Sequence, residues 1–227
     1  MVFPRNTLLV PKEEGDKLLG KTVDVVVGHE HETFSIHEKL IRASSLFFDK
    51  AMSGAWQESA QNTIELPDDE PEIFGLYHHW LYYGTLPVFC DDVNVEYVNL
   101  IDAYTLGDKL LDTRFQDTAI DAIIERSISK GSDGKMWYPG QGVIEHAYNN
   151  TNESALVRTL LVDMYVSAGH GAWLRDCGTT DFPQSFLFEL AAKSMDQRGG
   201  SRLRIDPSKY HIHGSQDGKK GSHVKCS

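Results

Sequence analysis

Residues 22–86 constrain the fold most, because strand, helix and turn patterns follow one another there with no linker-like break. Thr22-Val23-Asp24-Val25-Val26-Val27 is rich in β-branched residues and stops at Gly28, so it reads as a strand. His29-Glu30-His31 makes the turn, and Glu32-Thr33-Phe34-Ser35-Ile36 alternates as the returning strand. His37 to Ala43 then places Leu40 and Ile41 on one helical face, and a second short helix carries Leu46, Phe47, Ala51 and Met52. Thr63-Ile64-Glu65-Leu66-Pro67 is one more short strand. Asp68-Asp69-Glu70-Pro71 starts a helix, with acids at its positive end and Pro in its first turn. Ile73, Phe74, Tyr77, Trp80 and Leu81 form its buried stripe, and Gly84 closes it as a left-handed cap.

Further on, residues 95–110 and 112–126 read as helices, the second built on Phe115, Ala119, Ala122 and Ile123. Residues 129–142 hold four Gly and a Pro, the composition of a linker. Helical patterns resume at 143–149, 153–168 and 182–195, the last opened by Phe182-Pro183. From Gln197 onward Gly, Ser, Lys and His dominate, which predicts disorder. The expected organisation is an N-terminal segment over 1–19, an α+β domain over 20–126 and a linker over 127–142. An all-helical extension over 143–195 and a disordered basic tail over 196–227 complete it.

The net charge of −11 is unevenly spread, since residues 196–227 carry seven Lys or Arg against three Asp and leave −15 on residues 1–195. An acidic body disfavours broad contact with nucleic acid or with anionic membranes. Weak, salt-sensitive contacts of Arg198, Arg202, Arg204, Lys219, Lys220 and Lys225 with nucleic acid or an acidic partner are the exception; a solubilising tail is the plainer reading. Cys90, Cys177 and Cys226 are widely spaced and odd in number, which suggests reduced thiols in the cytoplasm or nucleus. No apolar run is long enough to span a membrane, and Met1 to Arg5 lacks the features of a signal peptide.

Three stretches carry a family likeness: Asp24-Val25-Val26-Val27, Phe34-x-Ile36-His37-x-x-Leu40-Ile41-x-Ala43-x-Ser45-x-x-Phe48, and Tyr82-Tyr83-Gly84-Thr85-Leu86. In order and spacing they resemble a BTB/POZ domain over residues 20–126. Tyr148-Asn149-Asn150-Thr151, Leu160-Leu161-Val162-Asp163 and Phe182-Pro183-x-x-Phe186-Leu187 resemble helical extensions that follow such domains in filamentous-fungal proteins. The resemblance implies a small sheet flanked by helices, with His37, Ser45, Phe48 and Gly84 defining the fold. It also implies protein partners, through homodimerisation, corepressor recruitment or binding of a cullin scaffold.

Asp24 matches the strand acid that lines the family's charged pocket. Glu38 stands where transcription-factor members commonly carry a basic residue, and two acids there would repel. Trp56-Gln57-Glu58 falls where cullin-binding members show a hydrophobic residue, any residue, then Glu, so Trp56 and Glu58 are candidate partner-binding residues. Phe47 and Met52 either pack across a twofold axis or belong to the core. Residues 1–21 look too short and too charged for the leading helix that the family's dimers often use. The expected function is an adaptor, with a cullin-based ubiquitin ligase as one destination; the alternative is a dimeric transcriptional co-regulator.

Enzymatic readings find less support. Gly15-Asp16-Lys17-Leu18-Leu19-Gly20-Lys21-Thr22 matches the P-loop pattern, which makes an NTPase the remote alternative. A phosphate cradle needs a strand before the loop and a helix after it, whereas Glu13-Glu14 precedes this loop and a β-branched run follows. His29 and His31 sit in a turn with no fourth ligand in view, and His211, His213, His223 and Cys226 lie in the tail. Asp24, His37 and Ser45 have the residue types of a hydrolytic triad but no nucleophile elbow, and Ser45 reads as a helix cap. The expectation is a non-enzyme without cofactor or metal.

Overall fold

Thr22 to Val27 form the central strand β1, on which Val23, Val25 and Val27 are buried on one face. The structure, a computed structural model, describes residues 10–53, 63–131, 133–175 and 182–197. Strand β2 (Glu32–His37) pairs antiparallel with β1, setting Ile36 opposite Val23 and Phe34 opposite Val25. Strand β3 (Thr63–Leu66) pairs parallel on the other side, setting Ile64 opposite Val25 and Leu66 opposite Val27. The order is therefore β2-β1-β3. The hairpin turn takes Gly28 at φ 73° and His31 at φ 57°. A Cβ on Gly28 would stand 2.9 Å from Pro71 Cγ, so both conformation and space demand glycine.

Ten helices occur among the described residues. α1 (Lys12–Asp16) precedes the sheet, and α2 (Glu38–Ser44) and α3 (Leu46–Ser53) fill the crossover towards β3. α4 (Pro71–Tyr83), α5 (Val93–Lys109) and α6 (Thr113–Ile128) follow. α7 (Gln141–Asn150), α8 (Leu156–Ala168), α9 (Ala172–Arg175) and α10 (Gln184–Asp196) make up the C-terminal part. None of the described helices is long and apolar enough to cross a membrane.

α4 holds the core together. Phe74, Tyr77 and Trp80 are buried as the stripe requires, and Gly84 ends the helix at φ 68° with its N–H on the Trp80 carbonyl at 2.8 Å. Leu76 is also buried, while Ile73 and Leu81 are half-buried, because α4 is packed against α2 and β2 as well as against α5. Tyr77 meets Phe115 of α6 edge-on at 4.9 Å, and Trp80 Nε1 donates to Thr118 Oγ1 at 3.0 Å.

α5 and α6 join through a tight corner. Leu111 adopts φ 52°, and the N–H groups of Leu111 and Asp112 bond back to the carbonyls of Asp108 and Gly107 at 3.1 and 2.9 Å. That is the paired bonding of a Schellman motif, with leucine where glycine is usual. Asp112 then caps α6, accepting the Phe115 N–H at 3.1 Å.

The segment after α6, which has a linker's composition, is bonded from both sides. Tyr97 of α5 donates to the Trp137 carbonyl at 2.7 Å, and Tyr165 of α8 donates to the Pro139 carbonyl at 2.9 Å. α7 rests on α5, where His146 Nε2 and Asp102 Oδ1 are 2.5 Å apart. Arg158 is buried and bonds the Tyr148 carbonyl at 2.8 Å and Thr151 Oγ1 at 2.9 Å, satisfying the open C-terminal end of α7. Tyr148, Tyr165, Phe182 and Phe186 close an aromatic cluster, the last pair 5.6 Å apart. The tail from residue 198, with Cys226, lies outside the described residues, as does Cys177; Cys90 is a free, exposed thiol.

Candidate protein-interaction surface

The α2–α3 arm is fixed by one guanidinium. Arg42 donates to Glu38 at 2.9 Å, to Asp49 at 2.9 Å and to Ser53 Oγ at 2.9 Å, tying α2 to the first and last turns of α3. Its bonds to Glu38, first, and Asp49 raise its already high pKa, so it is cationic at any pH the fold meets. Between the two helices Ser45 is buried; its Oγ accepts the Phe48 N–H at 3.2 Å and donates to the Leu110 carbonyl at 2.5 Å. Ser45 therefore caps α3 and anchors it to the α5–α6 corner. Ser44 Oγ and the Tyr77 hydroxyl (3.0 Å) both donate to Asp112 Oδ2, so this buried carboxylate is fully engaged. Burial, and then the Asp112 charge, push the Tyr77 hydroxyl far above the usual tyrosine range and keep it a donor.

Set on this frame, Leu46 is 58% exposed and Leu111 47% exposed, on neighbouring elements joined by the Phe47 N–H to Leu110 carbonyl bond at 3.3 Å. Phe47 is half-buried, edge-on to Phe48 at 5.1 Å, and Met52 is half-buried beyond it. Phe48 is the fully buried residue of α3. Leu46, read as part of the apolar face, stands outside, because the Ser45 cap sets the phase of the helix. Leu111 could not have been anticipated as a surface residue, since nothing in its sequence marks a left-handed turn. Trp56 and Glu58 lie outside the described residues, in the stretch between α3 and β3.

The remaining candidates separate rather than converge. Asp24 is half-buried and accepts from Ser35 Oγ at 2.6 Å, whereas Glu38 is paired with Arg42, so each acid has its own partner. His37 is half-buried, its Nδ1 2.9 Å from the Tyr82 hydroxyl, which also accepts the His37 N–H at 3.2 Å. With Asp24 on Ser35, His37 on Tyr82 and Ser45 on Leu110, no proton relay connects the three. In the P-loop-like stretch the order is helix, turn, strand: α1 ends inside it at Asp16 and Thr22 opens β1. Lys17 is bonded to Glu14 at 2.8 Å. Among the described residues no group of three or more His, Cys, Asp or Glu is placed to hold a metal ion.

The hairpin, the helical crossover to a parallel third strand and the α4–α5–α6 layer have a counterpart among known families. Residues 16–117 match the BTB/POZ domain. No curated protein matches the chain. The BTB domain thus begins at the end of α1, takes in the whole sheet and ends within α6. It contains Asp24, His37, Glu38, Ser45, Phe47, Phe48, Met52 and Gly84, and α7 to α10 follow it as further helices. A BTB domain is a protein–protein interaction module and is generally not an enzyme.

Proposed function

We propose that the protein is an adaptor whose BTB domain docks a protein partner through α3 and the α5–α6 corner. The helical extension then presents or recruits a client. The observation that carries this reading is the exposed pair Leu46 and Leu111 beside half-buried Phe47, held on a frame of buried hydrogen bonds. An apolar cluster on a rigid support loses little entropy on binding, which is what an interface anchor requires. Trp56-x-Glu58 follows α3 directly in sequence and supports a cullin scaffold as that partner, in the cytoplasm or nucleus. Replacing both Trp56 and Glu58 by Ala should abolish a cullin pull-down while the thermal midpoint barely moves. Retained binding sinks the cullin assignment. A dimeric co-regulator is the second reading, favoured by Phe47 and Met52, which pack against the core but stay half-buried. Light scattering decides it, since a strict monomer at high concentration rules it out.

A further inference from the structure

A cleft opens between the loop after α4 and the α5–α6 pair. Leu86, Val88, Phe89, Leu100 and Ala122 wall a space of about 210 Å³, and Arg126 lines it beside them. One carboxylate places the guanidinium. Glu96 is buried; its Oε1 accepts the Cys90 N–H at 3.0 Å and its Oε2 accepts from Arg126 Nε. Arg126 is therefore held against residue 90, next to the lining Phe89, with its side chain only 9% exposed.

Among the described residues Arg126 hydrogen-bonds through Nε, and no buried side-chain nitrogen or oxygen lacks a partner. Nη1 and Nη2 therefore keep access to solvent, and the cleft supplies it. The hydroxyl donors of the lining are spent inside the fold. Thr118 Oγ1 donates to the Arg114 carbonyl at 2.9 Å and Ser129 Oγ to the Glu125 carbonyl at 2.7 Å, while Thr85 Oγ1 is 3.1 Å from His79 Nε2. Within apolar walls that leaves one fixed cation whose outer edge is a two-pronged donor, the geometry that a carboxylate fits.

We propose that this cleft takes the C-terminal residue of a partner protein, its carboxylate on the Nη edge of Arg126 and an aliphatic side chain against Leu86, Val88, Leu100 and Ala122. The volume is below the roughly 300–1,000 Å³ of small-molecule sites, so it accommodates a terminal residue and leaves the rest of the ligand outside. Phe89 is 83% exposed at the rim, and Tyr83, just before the lining Gly84, is 72% exposed; both offer aromatic contact to the residues ahead of the terminus. Glu125, also on the rim, disfavours a second acid there, so the ligand carries one carboxylate on an otherwise apolar end. Glu96 fixes the guanidinium before any ligand arrives, so binding orders no long side chain of this protein. The site shares no residue with the surface on α3 and the α5–α6 corner, so either can fail without the other.

An NMR titration of the full chain tests it, with acetyl-Tyr-Ser-Leu bearing a free carboxylate as the probe. The peptide should shift the Arg126 Nε–H and the amides of Val88 and Ala122 in one saturable process. Its C-terminal amide should bind about tenfold or more weakly, the worth of a charge-assisted pair. N-acetylleucine, which lacks the residues that reach the rim, should also bind more weakly than the peptide. Ala122→Leu fills the cleft without touching the Glu96 pair and should abolish binding at a nearly unchanged thermal midpoint. Arg126→Met with Glu96→Gln removes both charges together and should erase the preference for acid over amide. Should either variant fail to fold, the comparison of acid with amide on the unaltered chain still decides. No saturable shift at millimolar peptide, equal affinity for acid and amide, or binding that survives Ala122→Leu overturns the proposal. N-acetylleucine binding as tightly as the peptide also overturns it, by making the cleft a site for small acids.

Discussion

Leu110 and Leu111 are adjacent and chemically identical, yet the fold uses them in opposite ways. Leu110 is fully buried, and its carbonyl receives Ser45 and Phe47, whereas Leu111 is about half exposed at φ 52°. A left-handed conformation costs an L-residue roughly 1–2 kcal/mol, which glycine avoids, although glycine also raises the entropy of the unfolded chain by roughly 0.4–1 kcal/mol. With a part-buried side chain also lost, Leu111→Gly should leave stability within about 1 kcal/mol of zero. Leu110→Ala should cost about 2–5 kcal/mol through the cavity it opens. Urea unfolding of the two variants checks both figures. Partner binding separates them in the other direction: Leu111→Gly should weaken it at nearly unchanged stability. A large stability loss in Leu111→Gly would mean that this leucine serves the core and not the surface.

Individual elements were largely legible in the sequence, and the misses have identifiable causes. The hairpin and its Gly28 stop were readable because period-two alternation and β-branching agree there. α5 begins at Val93 and not at residue 95, because the Asp92 side chain accepts the Asn94 N–H at 2.8 Å and starts the helix early. α1 and α9 carry no buried residue and so had no periodic signal to read. Harder still to foresee is how α4 seals the free edge of β2. His37 N–H bonds the Tyr82 hydroxyl, and His78 bonds the Ser35 backbone. Burial, the larger effect, and then His79 hold the His78 pKa below its ordinary 6.5, against the opposing Ser35 bond. The folded state therefore favours neutral His78, while the unfolded chain takes up its proton near pH 6.5. The stability contributed by this burial is complete above pH 6.5 and is lost as the pH falls from there to the depressed folded value. His78→Gln should flatten the decline of the denaturation midpoint between pH 7 and pH 5. An unaltered slope would assign that decline to other groups.

At the scale of the whole molecule, the segment with a linker's composition is held from both sides. Four glycines and a proline mark residues 129–142 as a tether, but Tyr97 and Tyr165 bond its carbonyls from the two sides. Their hydroxyls lie forty and twenty-six positions away in sequence, so no local pattern announces the seam. The BTB match ends at residue 117, yet α6 runs on to Ile128, and Arg126 near its end forms a buried ion pair with Glu96 of α5. The same α5 supports α7 through Asp102 and His146. A helix that is core to both parts couples their unfolding, because separating them would strand Tyr97 and the buried face of α7 in water. The full chain should therefore melt in one calorimetric transition whose enthalpy equals the van't Hoff value. Tyr165→Phe, which removes the donor to Pro139, should lower stability by about 1 kcal/mol without splitting that transition. Two resolved transitions, or a variant in which only the extension melts early, would show that the seam holds two independent units in contact without making them one.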